Sequence, residues 1–239
     1  MGIGLISLSW HSEGESFVFI ALGKAKMVLG LLPLVATLGG TPQRILQIRI
    51  SQETSPGAGN FDSNVLGFVS ALNTDGTAAA FYMYGAAGPN YGNSVPKITA
   101  NTSHLFFVNG SDGLALFVVH NTSNRAEHSS GGSAETLFNL LGGTARILLS
   151  DDAGEATSSE DGTTFTGHHE WASENTDGMV IGALPVGFTI IGQFTSPPSG
   201  LDGGWEVISS DGSTIPLHLV PGQRVRLDVH LGVDVRQGH

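Results

Sequence analysis

The chain is predicted to be all-β, an antiparallel β-sandwich or jelly-roll-like double sheet with one short helix, on three observations. Six Asp-Gly pairs punctuate it, at 75–76, 112–113, 161–162, 177–178, 202–203 and 211–212, and Asp-Gly takes up the positive-φ geometry of a tight hairpin turn. The runs between them are apolar and largely alternating, the two-residue period of a half-buried strand. Glycine is abundant, 34 residues of 239, and charged residues make up only 13%. Turns must therefore be many, and the surface must rely on Ser, Thr and Asn.

Residues 1–40 are read as a leader or an N-terminal apolar segment. Lys24 and Lys26 precede an apolar run, Met27–Leu38, that is followed by Gly39, Gly40 and Thr41, the order of a secretory signal peptide. The run is short for a bilayer core of about 30 Å, so no transmembrane span is expected. Cleavage near Gly39 or Gly40 would start the mature chain around Thr41. If the segment is retained, it is a candidate for a strand donated to another copy, and a buried helix or strand pair of the mature fold is the alternative.

Residues 41–239 form the β-sandwich domain, with two sub-domains meeting near 142–151 left open. Its first strand is Leu46–Ser51, which alternates apolar and polar residues. Further strands are expected at 64–72, 77–85, 104–108, 114–120 and 144–150, then at 163–172, 178–184, 187–195, 204–209, 213–219 and 223–231. The one helix is placed at Ser133–Gly142, where a cap-like Ser, an early Glu and a closing Gly bracket about two turns. Residues 51–63 and 123–133, rich in Gly, Ser, Asn and Pro, are the long loops.

The net charge of −11 argues against a nucleic-acid partner, because phosphate binding needs clustered Lys and Arg. No Lys or Arg lies between Arg146 and Arg224, whereas eleven of the 21 acidic residues do. An ionic partner of this half is a cation rather than an anion. The absence of cysteine excludes disulfides, thiolate metal sites and a Cys nucleophile.

Asp151, Asp152, Glu155, Glu160 and Asp161 are the candidate calcium ligands, since calcium takes six to eight oxygens from carboxylates on a flexible loop. A solvated acidic loop is the competing reading. In 164–171 the strand period puts Phe165, Gly167, His169 and Trp171 on one face and Thr164, Thr166, His168 and Glu170 on the other. His168 and Glu170 would hold a metal only with a third ligand from elsewhere. Tyr82, Tyr84 and Tyr91 are the candidate sugar-stacking aromatics, with Tyr82 and Tyr84 on one face of strand 77–85. Asn101, Asn109 and Asn121 head three Asn-x-Ser/Thr triplets within 23 residues, the acceptor pattern for N-glycosylation. Nucleophile elbows, zinc-protease helices and phosphate loops are missing from the sequence. A glycosidase needs only two well-placed carboxylates, so that class stays open.

The stretches LSDDAGE at 149–155, HEW at 169–171, NTDGMVIGALP at 175–185 and GGWEVISSDGSTIPL at 203–217 resemble the β-rich ectodomains of exported bacterial surface proteins, many of which carry a C-terminal Pro-Glu-Pro sorting tail. The resemblance covers about 90 residues. It implies a surface or matrix role and transfers no catalytic residue. The sequence ends in Asp-Val-Arg-Gln-Gly-His239 without such a tail, so release or self-assembly is expected instead of anchoring. The first expectation is a non-enzymatic, secreted structural subunit that polymerises with copies of itself. A carbohydrate-binding module for surface glycans, with or without calcium, is the second, and a glycan hydrolase the third.

Overall fold

The structure, a computed structural model, describes residues 6–12, 15–21, 44–84 and 90–233. Residues 1–41 and 42–239 form two compact units. In the first, β1 (Ile6–Ser12) and β2 (Glu15–Ala21) make an antiparallel hairpin with Ser12 opposite Glu15. The apolar run Met27–Leu38 and the small residues after it lie outside the described residues.

The second unit begins with β3 (Arg44–Gln52), β4 (Val65–Ser70), β5 (Leu72–Asn73) and a five-residue helix α1 (Ala78–Tyr82). It continues with β6 (Thr102–Gly110), β7 (Gly113–His120), β8 (Gly132–Leu141), β9 (Arg146–Ser150), β10 (Ala156–Ser158) and β11 (Thr164–Trp171). The last strands are β12 (Asp177–Gly182), β13 (Thr189–Phe194), β14 (Gly204–Ile208), β15 (Thr214–Leu217) and β16 (Val225–Val233). One sheet has the order β10-β11-β8-β13-β16-β3-β4 and is antiparallel throughout. The other has the order β15-β14-β6-β7-β12-β9, antiparallel except that β14 runs parallel to β6, with β5 adding to β6 as a further parallel neighbour.

The main core lies between the sheets. Ile48, Phe138, Phe165 and Leu227 from the first meet Leu105, Phe107, Leu116 and Ile181 from the second. A second apolar cluster covers the opposite face of β6, β7 and β12, where Phe106, Phe117 and Val180 pack under Tyr82 and Tyr91. The second sheet is thus buried on both faces. This explains why Leu114–His120 reads as a nearly continuous apolar run rather than an alternating one.

Two elements differ from expectation. Residues 133–142 are not the helix. Gly132–Leu141 is strand β8, held between β11 and β13, and Ala134, Thr136, Phe138 and Leu140 alternate inward. Pairing on both sides outweighs the cap-like Ser and Glu. The helix forms instead at 78–82, where a strand was expected. The Thr77 hydroxyl accepts from the Ala80 N–H as an N-cap, and three alanines follow, the residue with the highest helix propensity.

Of the Asp-Gly pairs, 112–113, 161–162 and 211–212 close the hairpins β6–β7, β10–β11 and β14–β15. Asp177-Gly178 instead lies within β12. A Cβ on Gly178 would sit 2.0 Å from the Val118 carbonyl oxygen, so the glycine serves close strand approach there.

Candidate functional site

Strand β11 alternates as its sequence requires: Phe165, Gly167, His169 and Trp171 are buried, while His168 and Glu170 are exposed. Antiparallel register sets His168 opposite Glu135 on β8, and the His168 Nδ1 lies 3.6 Å from the Glu135 carboxylate. On the other side, β10 brings in the turn 151–155, and the His168 N–H donates to the Glu155 carbonyl at 2.8 Å. Loop 195–199 after β13 completes the wall, with Ser199 bonded to Ser133 through backbone and hydroxyl. The result is a cleft of about 340 Å³ lined by Glu135, Glu155, His168, His169 and Glu170, with Ser133, Ala134, Ser196 and Pro197 at its margin.

Beneath it, Asp177 from the opposite sheet is 2% exposed. Its Oδ2 accepts from the Glu170 N–H at 2.8 Å and its Oδ1 from the Gly178 N–H at 2.6 Å. The Glu155 carboxyl is its acidic neighbour. Burial, and then the Glu155 charge, pushes Asp177 well above the carboxylate range. Burial raises Glu155 too, against the opposing bond to Asp177. Two neighbouring buried carboxyls with no guanidinium between them retain one proton near neutral pH, because each charge disfavours the other.

His169 joins the cleft to the interior. Its Nδ1 lies 3.0 Å from His120 Nε2 on the opposite sheet, and Trp171 stacks on His120 at 5.3 Å. Gly167 makes room for the His169 ring, since a Cβ there would meet Cε1 at 2.4 Å. Burial lowers both imidazoles, His169 to about 4 and His120 well below its usual value, so the pair is neutral. Each ring spends one nitrogen on the other, and His169 Nε2 and His120 Nδ1 are buried without a partner. The same holds for Glu155 Oε2, and for Ser103 Oγ and Trp205 Nε1, whose residues share a row across the second sheet with His120.

The five candidate calcium ligands are not brought together. The Asp151 Oδ2 accepts from the Tyr82 hydroxyl at 2.9 Å on the helix-covered face. Asp152 and Glu160 are exposed, and Asp161 folds its carboxylate back onto Ser159 and Thr163 in the β10–β11 turn. Only Glu155 of the five lines the cleft. Among the described residues, no group of three or more His, Cys, Asp or Glu is arranged to hold a metal ion.

The tyrosines also require correction as a stacking platform. Tyr82 and Tyr91 are 0% and 2% exposed and pack edge to face at 5.2 Å in the second core, whereas Tyr84 is exposed. The cause is the helix: its last turn drives Tyr82 down onto β7. The glycosylation triplets fall into different environments. Asn109 is exposed and donates to Asn73 at 3.2 Å. Asn101 is half-buried, and its side-chain oxygen accepts from the Ser130 N–H. Asn121 is fully buried, and its Nδ2 donates to Ser129, Ser130 and Asn175. The fold therefore already uses the nitrogen that would carry a glycan.

A larger hollow, about 640 Å³, lies over Asn73–Asp75 and Asn109–Ser111. Asp75 is the one titratable residue lining it, so the cleft is the better candidate. Sequence reading placed His168 and Glu170 on the outward face. It missed Glu135, hidden in the expected helix, and His120, which reaches the site only through packing of the two sheets. Comparison with protein-family models, with curated proteins and with solved structures finds no match to this chain.

Proposed function

We propose that the chain is an extracellular carbohydrate-binding module whose ligand site is the cleft over β8 and β11. The observation that carries this reading is the convergence of Glu135, Glu155, Glu170, Ser133 and Ser196 on one concavity of a rigid sheet, where Glu155 Oε2 and His169 Nε2 are still unpartnered. Carboxylate acceptors and an unpartnered imidazole nitrogen fixed in this way suit a ligand rich in hydroxyls, which both donate and accept. Hydrolysis is less well supported. A glycosidase needs one carboxyl beside the scissile bond as acid and a second as base or nucleophile, whereas Asp177 is 2% exposed and already accepts from the Glu170 and Gly178 N–H groups. Polymerisation by strand addition has weaker support too, since three edges are blunted: β10 has three residues, β9 has five, and the four residues of β15 include Pro216.

The test is titration of the chain with a panel of neutral and amino oligosaccharides, followed by backbone amide shifts. Binding should perturb the amides of 133–135 and 168–170, and Glu170→Gln should weaken it at least tenfold, about 1.4 kcal/mol. Absence of any perturbation at these strands across the panel overturns the assignment. A chain that elutes as a polymer and binds no sugar restores the structural-subunit reading.

A further inference from the structure

We infer that the sugar bound in the cleft carries a free amine, so that the ligand is a protonated amino sugar rather than a neutral one; this rests on the carbohydrate reading above. Three carboxylates line the cleft and no Lys or Arg does. The stretch from 147 to 223, which supplies most of the walls, contains no Lys or Arg at all. The described basic residues near other carboxylates are already engaged: Arg49 and Arg226 with Asp62 and Asp228, Arg224 with Glu53, Arg125 with Glu174 and Lys97 with Glu127. The imidazole of His168 meets only Glu135.

A second observation, separate from charge, points to a ligand at the same place. His169 lines the cleft, is 1% exposed and leaves Nε2 without a partner. An orphaned polar atom in a buried side chain is costly unless a partner completes it. A metal ion would need several of these groups within coordination distance, and among the described residues none are so arranged. An ammonium group does not need such a coordination shell. It has three N–H donors, and its charge complements the cleft carboxylates.

The experiment is calorimetric titration, at low salt and at a pH where the amine is protonated, with two probes of equal length: a β-1,4-linked glucosamine tetramer and its fully N-acetylated counterpart. The expected result is at least tenfold tighter binding of the free amine, weakened by added salt. Glu135→Gln and Glu170→Gln should each reduce the preference at least threefold. Both side chains are exposed, so folding is not at stake, and Glu160→Gln outside the cleft should leave binding unchanged. Equal affinity for both probes overturns the amine inference while leaving the carbohydrate reading intact. Binding of neither probe, nor of any neutral oligosaccharide, overturns both. A free-amine preference that survives both cleft substitutions reports the general charge of the chain and also overturns the assignment.

Discussion

At Asp151 the chain buries a carboxyl that it answers with a single phenol. The Tyr82 hydroxyl donates to Oδ2, Oδ1 has no partner, and burial lifts the carboxyl to about 6 despite that bond. Tyr82→Phe would leave both oxygens buried and unpaired at unchanged packing volume. Its expected cost is about 1–3 kcal/mol at neutral pH, read as a lower urea midpoint, together with a further rise of the Asp151 pKa by carboxyl-carbon NMR. A variant as stable as the parent would mean that the pair is not formed in solution. The residues flagged by type in the sequence, Asp151 and Tyr82, are thus coupled, but as a structural pair inside the second core rather than as a calcium ligand and a sugar platform. Sequence could not reveal this, because the two lie 69 positions apart and meet only when α1 lies on β7, β9 and β12.

Strand β8 is the element that most separates pattern from outcome. The segment SAETLFNLL offers a Ser cap and an early Glu, yet it also places Ala134, Thr136, Phe138 and Leu140 at a strict period of two. Two neighbouring strands decide in favour of that period. Phe138→Ala, at 1% exposure, should therefore cost about 3–5 kcal/mol, whereas Leu141→Ala at the strand end, 54% exposed, should stay within about 0.5 kcal/mol. Equilibrium urea unfolding of both variants checks the pair, and comparable losses would contradict the register. The same lesson governs what was legible. Strands whose two faces differ, such as Thr164–Trp171, announce their sidedness, and His168 and Glu170 were placed correctly outward. Segment 77–85 misled because Phe81, Tyr82 and Tyr84 are strand formers, while the deciding signal was the Thr77 cap ahead of Ala78, Ala79 and Ala80. Glu135 became visible as a site residue only with the correct period for its segment. Asp177 stood out only as the last carboxylate of the acidic stretch 151–177 and as half of an Asp-Gly pair that elsewhere means a turn.

Over the whole molecule, the buried groups of the two sheets set opposing dependences on pH. His169, lowered by burial to about 4, and His120, lowered further, are neutral in the fold. The unfolded chain protonates them below about 6.5, so stability is lost as pH falls from that value. Asp151, raised to about 6, and Asp177, raised further by burial and by Glu155, hold protons in the fold that the unfolded chain releases above about 3.9. Their contribution is present at low pH and is lost as pH rises through the folded values. Between about pH 4 and 6 the protons that the unfolded state takes up on His104, His120 and His169 oppose those that the folded state keeps on Asp151 and Asp177, so the slope of stability against pH is expected to be shallow. Above about 6.5 the histidine contribution is constant and Asp177 alone remains, so stability should fall by about 1.4 kcal/mol per pH unit until it ionises. On the acid side burial works to raise Glu53, but Arg224 and the Arg224 and Gly59 N–H groups outweigh it and hold the carboxyl at about 2, so its contribution disappears as pH falls from about 4.5 toward that value. Urea midpoints measured from pH 3 to 9 should therefore show a broad maximum with a loss at each end. Burial is the larger cause of the raised Asp177 pKa and Glu155 the second, so Glu155→Gln should end the alkaline limb at a lower pH while leaving the acid limb in place. A midpoint that rises between pH 6.5 and 9 would contradict the shared proton between Glu155 and Asp177, and with it the electrostatic description of the floor of the cleft.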